Sequence, residues 1–134
     1  MTLGQNMLYE FAEDLPPGEV RAVEPGTAPV PDGCLLDVLG IEPTHIGRGA
    51  CRARMRIGAR HLNQRGLVQG GAIVALADAA AGWASYAALR EGRFTTLELN
   101  CDFMGRAAEG GVLRDPPRRT PPPSISGGGP LSWT

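Results

Sequence analysis

Hydrophobic and polar residues alternate in two stretches of the chain, and each alternation predicts a strand. Residues 51–57 read CRARMRI and residues 94–103 read FTTLELNCDF. An apolar residue at every second position is typical of a strand with one face in a core and one in water. Residues 34–47 predict a short helical turn that leads into a further strand, with a turn at Gly47-Arg48-Gly49. Another short strand is predicted to begin at Val112.

A long helix is predicted between the two alternating stretches. Its signals begin at Gly70, and Glu91-Gly92 ends it. One apolar stripe holds Ile73, Leu76, Ala77, Ala80, Ala84 and Ala87, and the opposite side holds Val74, Ala75, Asp78, Gly82, Ser85 and Leu89. Since both sides are mostly small and apolar, the helix is expected to be buried all round. The chain's own sheet can cover one side, and a second copy of the chain in a homodimer can cover the other.

The two ends of the chain lack such patterns. Residues 1–33 contain a possible short helix and then several prolines, and they predict a flexible N-terminal arm. From Asp115 onward the sequence is DPPRRTPPPSISGGGPLSWT, a composition typical of a disordered tail that cannot form central strands. The expected organisation is an arm over 1–33, one domain over 34–114 and a tail over 115–134.

Composition narrows the classes of partner and of site. The formal net charge of 134 residues is −1, so bulk electrostatics suggest neither nucleic acid nor a membrane surface as a partner. Three scattered cysteines argue against a disulfide framework or a zinc site and fit a reducing cytosol. We therefore expect a cytoplasmic protein without a metal or cofactor. The helix is long enough to raise the question of a membrane span, but its small residues and Asp78 argue against one.

Asp78 and the Gly70-Gly71 pair are the main chemical features of the helix. A lone carboxylate in an apolar helix is costly to bury unless it is paired or used. Free N–H groups at a helix start can polarise a carbonyl oxygen, and a carboxylate can activate water or attack the carbonyl carbon, as thioester hydrolysis requires. The eight residues from Gly70 to Asp78 span ~12 Å of helix. Two antiparallel helices from two subunits would bring these groups together.

The order of these residues resembles a known family. HLNQRGLVQGGAIVALADAAAG followed by TTLELNCDFM is similar to the hotdog-fold acyl-CoA thioesterases of the phenylacetate-pathway (PaaI-type) group, relatives of the 4-hydroxybenzoyl-CoA thioesterases. The family pattern is H-x-N-x-x-G-x-x-H-G-G, then L-x-D, then a strand with T/S-x-E/D-L/M-N. The resemblance implies an α+β hotdog fold, in which an antiparallel sheet wraps a long central helix.

The resemblance also implies roles for individual residues. Asp78 matches the catalytic nucleophile or general base, and Gly70 matches the glycine whose N–H polarises the thioester carbonyl. Asn63 matches the asparagine that positions thioester and water, and Thr96 a hydroxyl that holds the water. Gly71 and Gln69 are expected to contact the substrate, an acyl-CoA. The expected assembly is a homodimer or homotetramer.

Simpler interpretations exist for several candidate residues. Asn63 can also stabilise its turn, and threonine is common in strands whatever its role. The arginines of residues 51–57 fit a solvated face better than a phosphate-binding row. Structural roles are also favoured for His45, His61, Trp83 and Tyr86, while Arg60, Arg65 and Arg106 are weak candidates for contacts with CoA phosphates.

The chain departs from the family pattern at two places. Gln69 stands where many members have histidine, and glutamine can donate a hydrogen bond but cannot titrate near neutral pH. The family continues with further long strands where this chain has its Pro/Gly-rich segment, so the sheet is expected to be incomplete after residue 114. A frameshift near Arg114 would explain the abrupt change in composition.

Three functions fit these features unequally. Hydrolysis of an acyl-CoA or aryl-CoA thioester fits best. A non-catalytic acyl-CoA-binding or dimerisation module, as a truncated relic, is the main alternative. A hotdog dehydratase or hydratase is less favoured, since neither His45 nor His61 lies in the context that such enzymes use.

Overall fold

The protein was analysed as a computed structural model that describes residues 5–24, 30–90, 110, 112–115 and 132–133. The predicted strand over 94–103, with Thr96, lies outside the described residues. The helices and strands in chain order are α1 (Gln5–Ala12), β1 (Arg21–Ala22), α2 (Leu35–Leu39), β2 (Ile41–Gly47), β3 (Ala50–Arg56), a 3-10 turn (Ala59–His61), α3 (Gly70–Ala88), β4 (Val112–Asp115) and β5 (Ser132–Trp133).

The described strands form one antiparallel sheet in the order β1-β2-β3-β4-β5. Its centre is the β2–β3 hairpin, whose register pairs Ile41 with Met55 and Gly47 with Ala50. Helix α3 packs against β2 and β3. The predicted turn-and-strand over 34–47, the hairpin turn, and the strand start at Val112 are all confirmed. So is the α+β architecture of a long helix on an antiparallel sheet.

The core lies between α3 and the sheet. In β3, Cys51, Ala53 and Met55 are buried while the intervening arginines are exposed, which confirms the predicted alternation. Arg54 forms an ion pair of 2.6 Å with Glu42 on the neighbouring strand, as a solvated face allows. The residues that α3 buries are Ala72, Leu76, Ala77, Ala80, Trp83, Ala84, Ser85 and Ala87.

One assignment to the sides of α3 was wrong. Ile73 is half-buried and packs against the core, as the predicted stripe requires. Ser85 was assigned to the side facing a second subunit, but this chain buries it to 4 % exposure. The burial is possible because the Ser85 hydroxyl donates to the Ala81 carbonyl oxygen at 2.8 Å, which satisfies its polar group within the helix.

The segment before α2 belongs partly to the core, which differs from the predicted flexible arm over 1–33. Helix α1 packs on α3 and buries Leu8 and Ala12, which lie one turn apart on the same helix face. A Cβ on Gly47 would overlap the backbone carbonyl oxygen of Glu19, so the segment after α1 passes directly over the hairpin. The Arg48 side chain donates to the Leu15 carbonyl oxygen at 3.2 Å and holds the segment in place.

The other end of the chain also enters the sheet. Asp115 is the last residue of β4, so the predicted boundary at 114 falls within a strand. Ser132–Trp133 pair with β4 and add a short edge strand. The remainder of the predicted disordered tail lies outside the described residues. None of the helices in the described ranges combines the length and hydropathy needed to span a bilayer.

An ion pair between Asp14 and Arg21 joins the end of α1 to β1. The Arg21 guanidinium donates to both Asp14 carboxylate oxygens at 3.0 and 2.8 Å, donates to the Phe11 carbonyl oxygen, and lies over the Phe11 ring. The hydrogen bond from Arg21 lowers the pKa of Asp14 below its ordinary value. The lowered pKa stabilises the fold above the unfolded-state pKa, and this stabilisation is lost as pH falls through the folded-state value.

We therefore expect Asp14→Asn to be slightly less stable than the unmodified chain at neutral pH, with the difference disappearing in acid. The effect should be small because both side chains are exposed. Thermal denaturation over a pH series would measure it, with Glu13→Gln as a control at an exposed neighbour. A difference that grew as pH fell would contradict the expectation.

Candidate active site

A tight loop between β3 and α3 sets the start of the long helix. The Asn63 N–H donates to the Leu67 carbonyl oxygen at 2.7 Å, and Leu62 and Val68 form an antiparallel bridge. The Gln69 N–H donates to the His61 carbonyl oxygen at 2.7 Å. These backbone hydrogen bonds hold the two arms of the loop together immediately before Gly70.

At the start of α3, the N–H groups of Gly70 and Gly71 donate to no acceptor among the described residues. Gln69 is the N-cap residue, its side chain is exposed, and it makes no capping hydrogen bond. The N–H groups of Gly70 and Gly71 fall in the first turn, where a helix offers no acceptor of its own. Among the described residues, a Cβ added to Gly71 would meet no atom within 4 Å apart from its chain neighbours and the backbone of its own helix. The helix start therefore combines a positive dipole end with room for a ligand.

Asp78 is exposed on α3, as are Gly71 and Tyr86. Asp78 follows Gly71 by seven residues, which is close to two helical turns and puts both on the same face. Val74, Ala75, Ala79 and Gly82 on or beside this face are half-buried. This is the side for which a second surface was predicted. In a single chain the Asp78 carboxylate remains ~12 Å along the helix from Gly70.

The Asn63 side chain stabilises its own turn through one of its two polar atoms. Its Oδ1 accepts the N–H of Arg65 at 2.8 Å and the N–H of Leu67 at 3.3 Å. This confirms the structural interpretation for the oxygen. The Nδ2 group donates to none of the described residues and can still donate to a ligand.

The two histidines occupy different surroundings. His45 is half-buried on β2, where its Nδ1 lies 3.0 Å from the Thr44 hydroxyl oxygen. His61 is buried to 1 % exposure, with Nε2 at 2.6 Å from the Leu39 carbonyl oxygen and Nδ1 at 2.9 Å from the Gly58 nitrogen. The structural role predicted for His61 is confirmed. Its position next to the helix start could not be derived from spacing.

Few of the described side chains and N–H groups at the site could take part in a reaction. In the described ranges, no three His, Cys, Asp or Glu side chains lie close enough together to hold a metal ion. Cys34 is half-buried and Cys51 is buried. Free backbone N–H groups and one exposed carboxylate on the same helix can polarise a carbonyl and activate water, provided that a second copy brings them together.

The family comparison matches the part of the chain that carries this helix. Residues 65–114 match the family model of the Thioesterase superfamily. The matched segment contains Gly70, Gly71, Asp78 and Thr96, whereas Asn63 lies just before it. No curated protein matches the chain.

Three solved structures are among those that share the fold. The conserved protein PA5202 from Pseudomonas aeruginosa is 23% identical, with a TM-score of 0.61 over 73% of this chain and 85% of that one. A point mutant of the phenylacetic acid degradation protein PaaI from Thermus thermophilus is 22% identical, with a TM-score of 0.61 over 73% and 90%. The TT0310 protein from the same organism is 23% identical, with a TM-score of 0.61 over 73% and 88%.

These likenesses confirm the predicted hotdog fold, in which a long helix packs on an antiparallel sheet. The described strands are consistent with the predicted incomplete sheet. The chain thus shares its fold with these solved structures, and its residues 65–114 are similar to the Thioesterase superfamily.

Proposed function

We propose that the protein hydrolyses an acyl-CoA or aryl-CoA thioester to the free acid and CoA. One observation carries the proposal: exposed Asp78 lies two turns beyond an uncapped Gly-Gly helix start, within the segment that matches the Thioesterase superfamily. A structural neighbour is described as a phenylacetic acid degradation protein. This description favours aryl-CoA esters among the first substrates to test.

Each residue of the proposed site has a separate role in the reaction. The Gly70 N–H donates to the thioester carbonyl oxygen as that oxygen gains negative charge, and the helix dipole adds to the stabilisation. Asp78 then either removes a proton from the attacking water or attacks the carbonyl carbon itself. In both routes the carbon–sulfur bond breaks and the CoA thiolate leaves and takes up a proton. In the second route water then hydrolyses the anhydride between the acyl group and Asp78, which releases the acid and restores the carboxylate. Asn63 Nδ2 and the Thr96 hydroxyl hold the thioester and the water.

The distance along α3 favours a site shared by two subunits. The ~12 Å between Gly70 and Asp78 exceeds what one carbonyl group and one water can bridge. Two copies of α3 packed antiparallel about a two-fold axis would place Asp78 of one chain near the partner's helix start. Ala75 and Gly82 on the exposed face leave room for the two backbones to approach. A homodimer is enough for this arrangement, and a homotetramer would contain two such pairs.

The direct test is release of free thiol from a panel of acyl-CoA and aryl-CoA esters. We expect thiol to appear in step with loss of the thioester. A dehydratase or hydratase would change the acyl chain without releasing thiol. A binding module would produce heat in calorimetry and return the ester intact. Either of these results would contradict the proposal.

Mixed dimers would test the shared site. Asp78→Asn and Gly70→Val chains are each expected to be inactive alone. In a mixed dimer, Gly70 of the first chain and Asp78 of the second complete one site. Random pairing makes about half of the dimers mixed, and each mixed dimer has one working site out of its two. Co-refolding should therefore restore about a quarter of the unmodified activity.

The pairing itself must be checked in the same samples. Native mass spectrometry would establish that mixed dimers are present, and co-refolding two differently tagged Asp78→Asn chains would provide the control. No recovery in confirmed mixed dimers would show that each site lies within one subunit.

A further inference from the structure

We propose that His61 is a positioning residue that fixes the start of α3, and with it the N–H groups of Gly70 and Gly71, through a neutral imidazole with its hydrogen on Nε2. This inference rests on the function proposed above, in which the Gly70 N–H binds the thioester oxygen. His61 does not touch the substrate, and it acts through backbone hydrogen bonds.

The hydrogen bonds of the ring determine its tautomer. The Leu39 carbonyl oxygen, 2.6 Å from Nε2, can only accept, so Nε2 carries a hydrogen. A neutral imidazole has one N–H, which leaves Nδ1 bare to accept the Gly58 N–H at 2.9 Å. The Gly58 carbonyl oxygen lies farther from Nδ1, at 3.3 Å, and already accepts the His61 backbone N–H at 3.0 Å. The ring thereby joins the end of α2 to Gly58, the residue before the 3-10 turn. With 1 % exposure, it has no competing contact with water.

The backbone of His61 carries this constraint to the helix. Its carbonyl oxygen accepts the Gln69 N–H at 2.7 Å, and its own N–H donates to the Gly58 carbonyl oxygen at 3.0 Å. Gln69 directly precedes Gly70. One hydrogen bond therefore separates the buried imidazole from the residue that begins α3, so a shift of His61 moves the helix start.

A displaced helix start should change kcat more than KM, because its N–H groups act mainly in the transition state. A donor to the oxygen of the reacting carbonyl binds the transition state more strongly than the ground state, so its misplacement lowers kcat more than it raises KM. A displacement of ~1 Å in such a group can cost ~100-fold in rate. A merely structural histidine would lower the fraction of folded enzyme and leave kcat per folded molecule unchanged.

Three substitutions separate the two ring contacts. His61→Asn keeps an acceptor near the Nδ1 position, His61→Gln places an amide nitrogen near the Nε2 position, and His61→Leu removes both. We expect His61→Leu to lose ~10–100-fold in kcat with KM changed less than ~3-fold, and Asn or Gln to restore part of kcat. Ile46→Ala, in β2 at 0 % exposure, is the control for a loss of stability that is unrelated to the loop. It should keep its kcat at temperatures where it is folded.

Two measurements decide the inference without any activity. Nitrogen-15 NMR of the unmodified chain should show a hydrogen on Nε2 and a bare Nδ1, and the opposite tautomer would overturn the proposal. The amide signals of Gly70 and Gly71 should shift in whichever His61 variant folds, and much less in Ile46→Ala. Unchanged glycine signals would overturn it too, as would a His61→Leu enzyme with unmodified kcat. If the unmodified chain hydrolyses no thioester, the proposed function fails, while the NMR results still show whether His61 sets the helix start.

Discussion

Asp78→Asn is expected to abolish thioester hydrolysis and to leave the fold intact. Asparagine has nearly the shape of aspartate, but its neutral amide can neither take a proton from water nor attack a carbonyl carbon. Loss of a general base costs ~100–10,000-fold in rate, and loss of a nucleophile costs at least as much. Because Asp78 is exposed, the substitution replaces no buried side chain. Steady-state thiol release, with circular dichroism on the same sample, would measure both outcomes.

The same substitution at an unrelated exposed position provides a matched control. Asp32→Asn, in the loop before α2, should keep the full rate. Asp78→Asn should still bind an acyl-CoA ester in calorimetry and hold it unhydrolysed, which would also provide a complex for structural work. An unchanged rate in folded Asp78→Asn would refute the catalytic assignment of Asp78, whichever ester the chain hydrolyses.

Leu76→Ala is expected to have the largest effect on stability. Leu76 is fully buried at 0 % exposure in the cluster between α3 and the sheet. Replacing a buried leucine by alanine removes apolar contacts and leaves a cavity, at a cost of ~2–5 kcal/mol in the free energy of unfolding. Domains of this size have ~5–15 kcal/mol in total, so the variant should unfold at much lower urea concentrations. Urea titration followed by tryptophan fluorescence would measure the change.

Leu35→Ala is the control for the chemistry of that substitution. Leu35 begins α2 and is 63 % exposed, so its truncation should change the unfolding free energy by ~0.5 kcal/mol or less. Equal losses in the two variants would show that Leu76 is not in the core of the folded protein.

The elements that the sequence predicted well have local patterns. The alternation in β3 determines the faces of that strand by itself, since a period of two residues is a property of one segment. The small apolar residues of α3 likewise predict the helix and most of its buried face, but not the burial of Ser85. Other features depend on contacts between distant residues. Leu8 and Ala12 lie in a short helix before several prolines, and only their contact with α3 shows that they are core residues. The pairing of Ser132–Trp133 with β4 likewise has no local signal.

The same limit applies to the candidate site. Residue type and spacing identified Asp78 and the glycines at the helix start, because the chemistry needs a carboxylate and free N–H groups. Spacing could not show that Asn63 Oδ1 is engaged in its own turn, nor that His61 connects Leu39, Gly58 and Gln69. Those facts are distances between segments that meet only in the folded chain.

Gly71 makes the first turn of α3 less stable than alanine would. The fold has space for a methyl group there, and alanine is favoured over glycine in a helix by up to ~1 kcal/mol. The chain's own packing thus offers no reason for the bare backbone at this position. Screening for thermal stability alone would favour a side chain there and would close the approach to the N–H groups of α3. Stabilising this protein by helix propensity and preserving its helix start are therefore opposing aims at this residue.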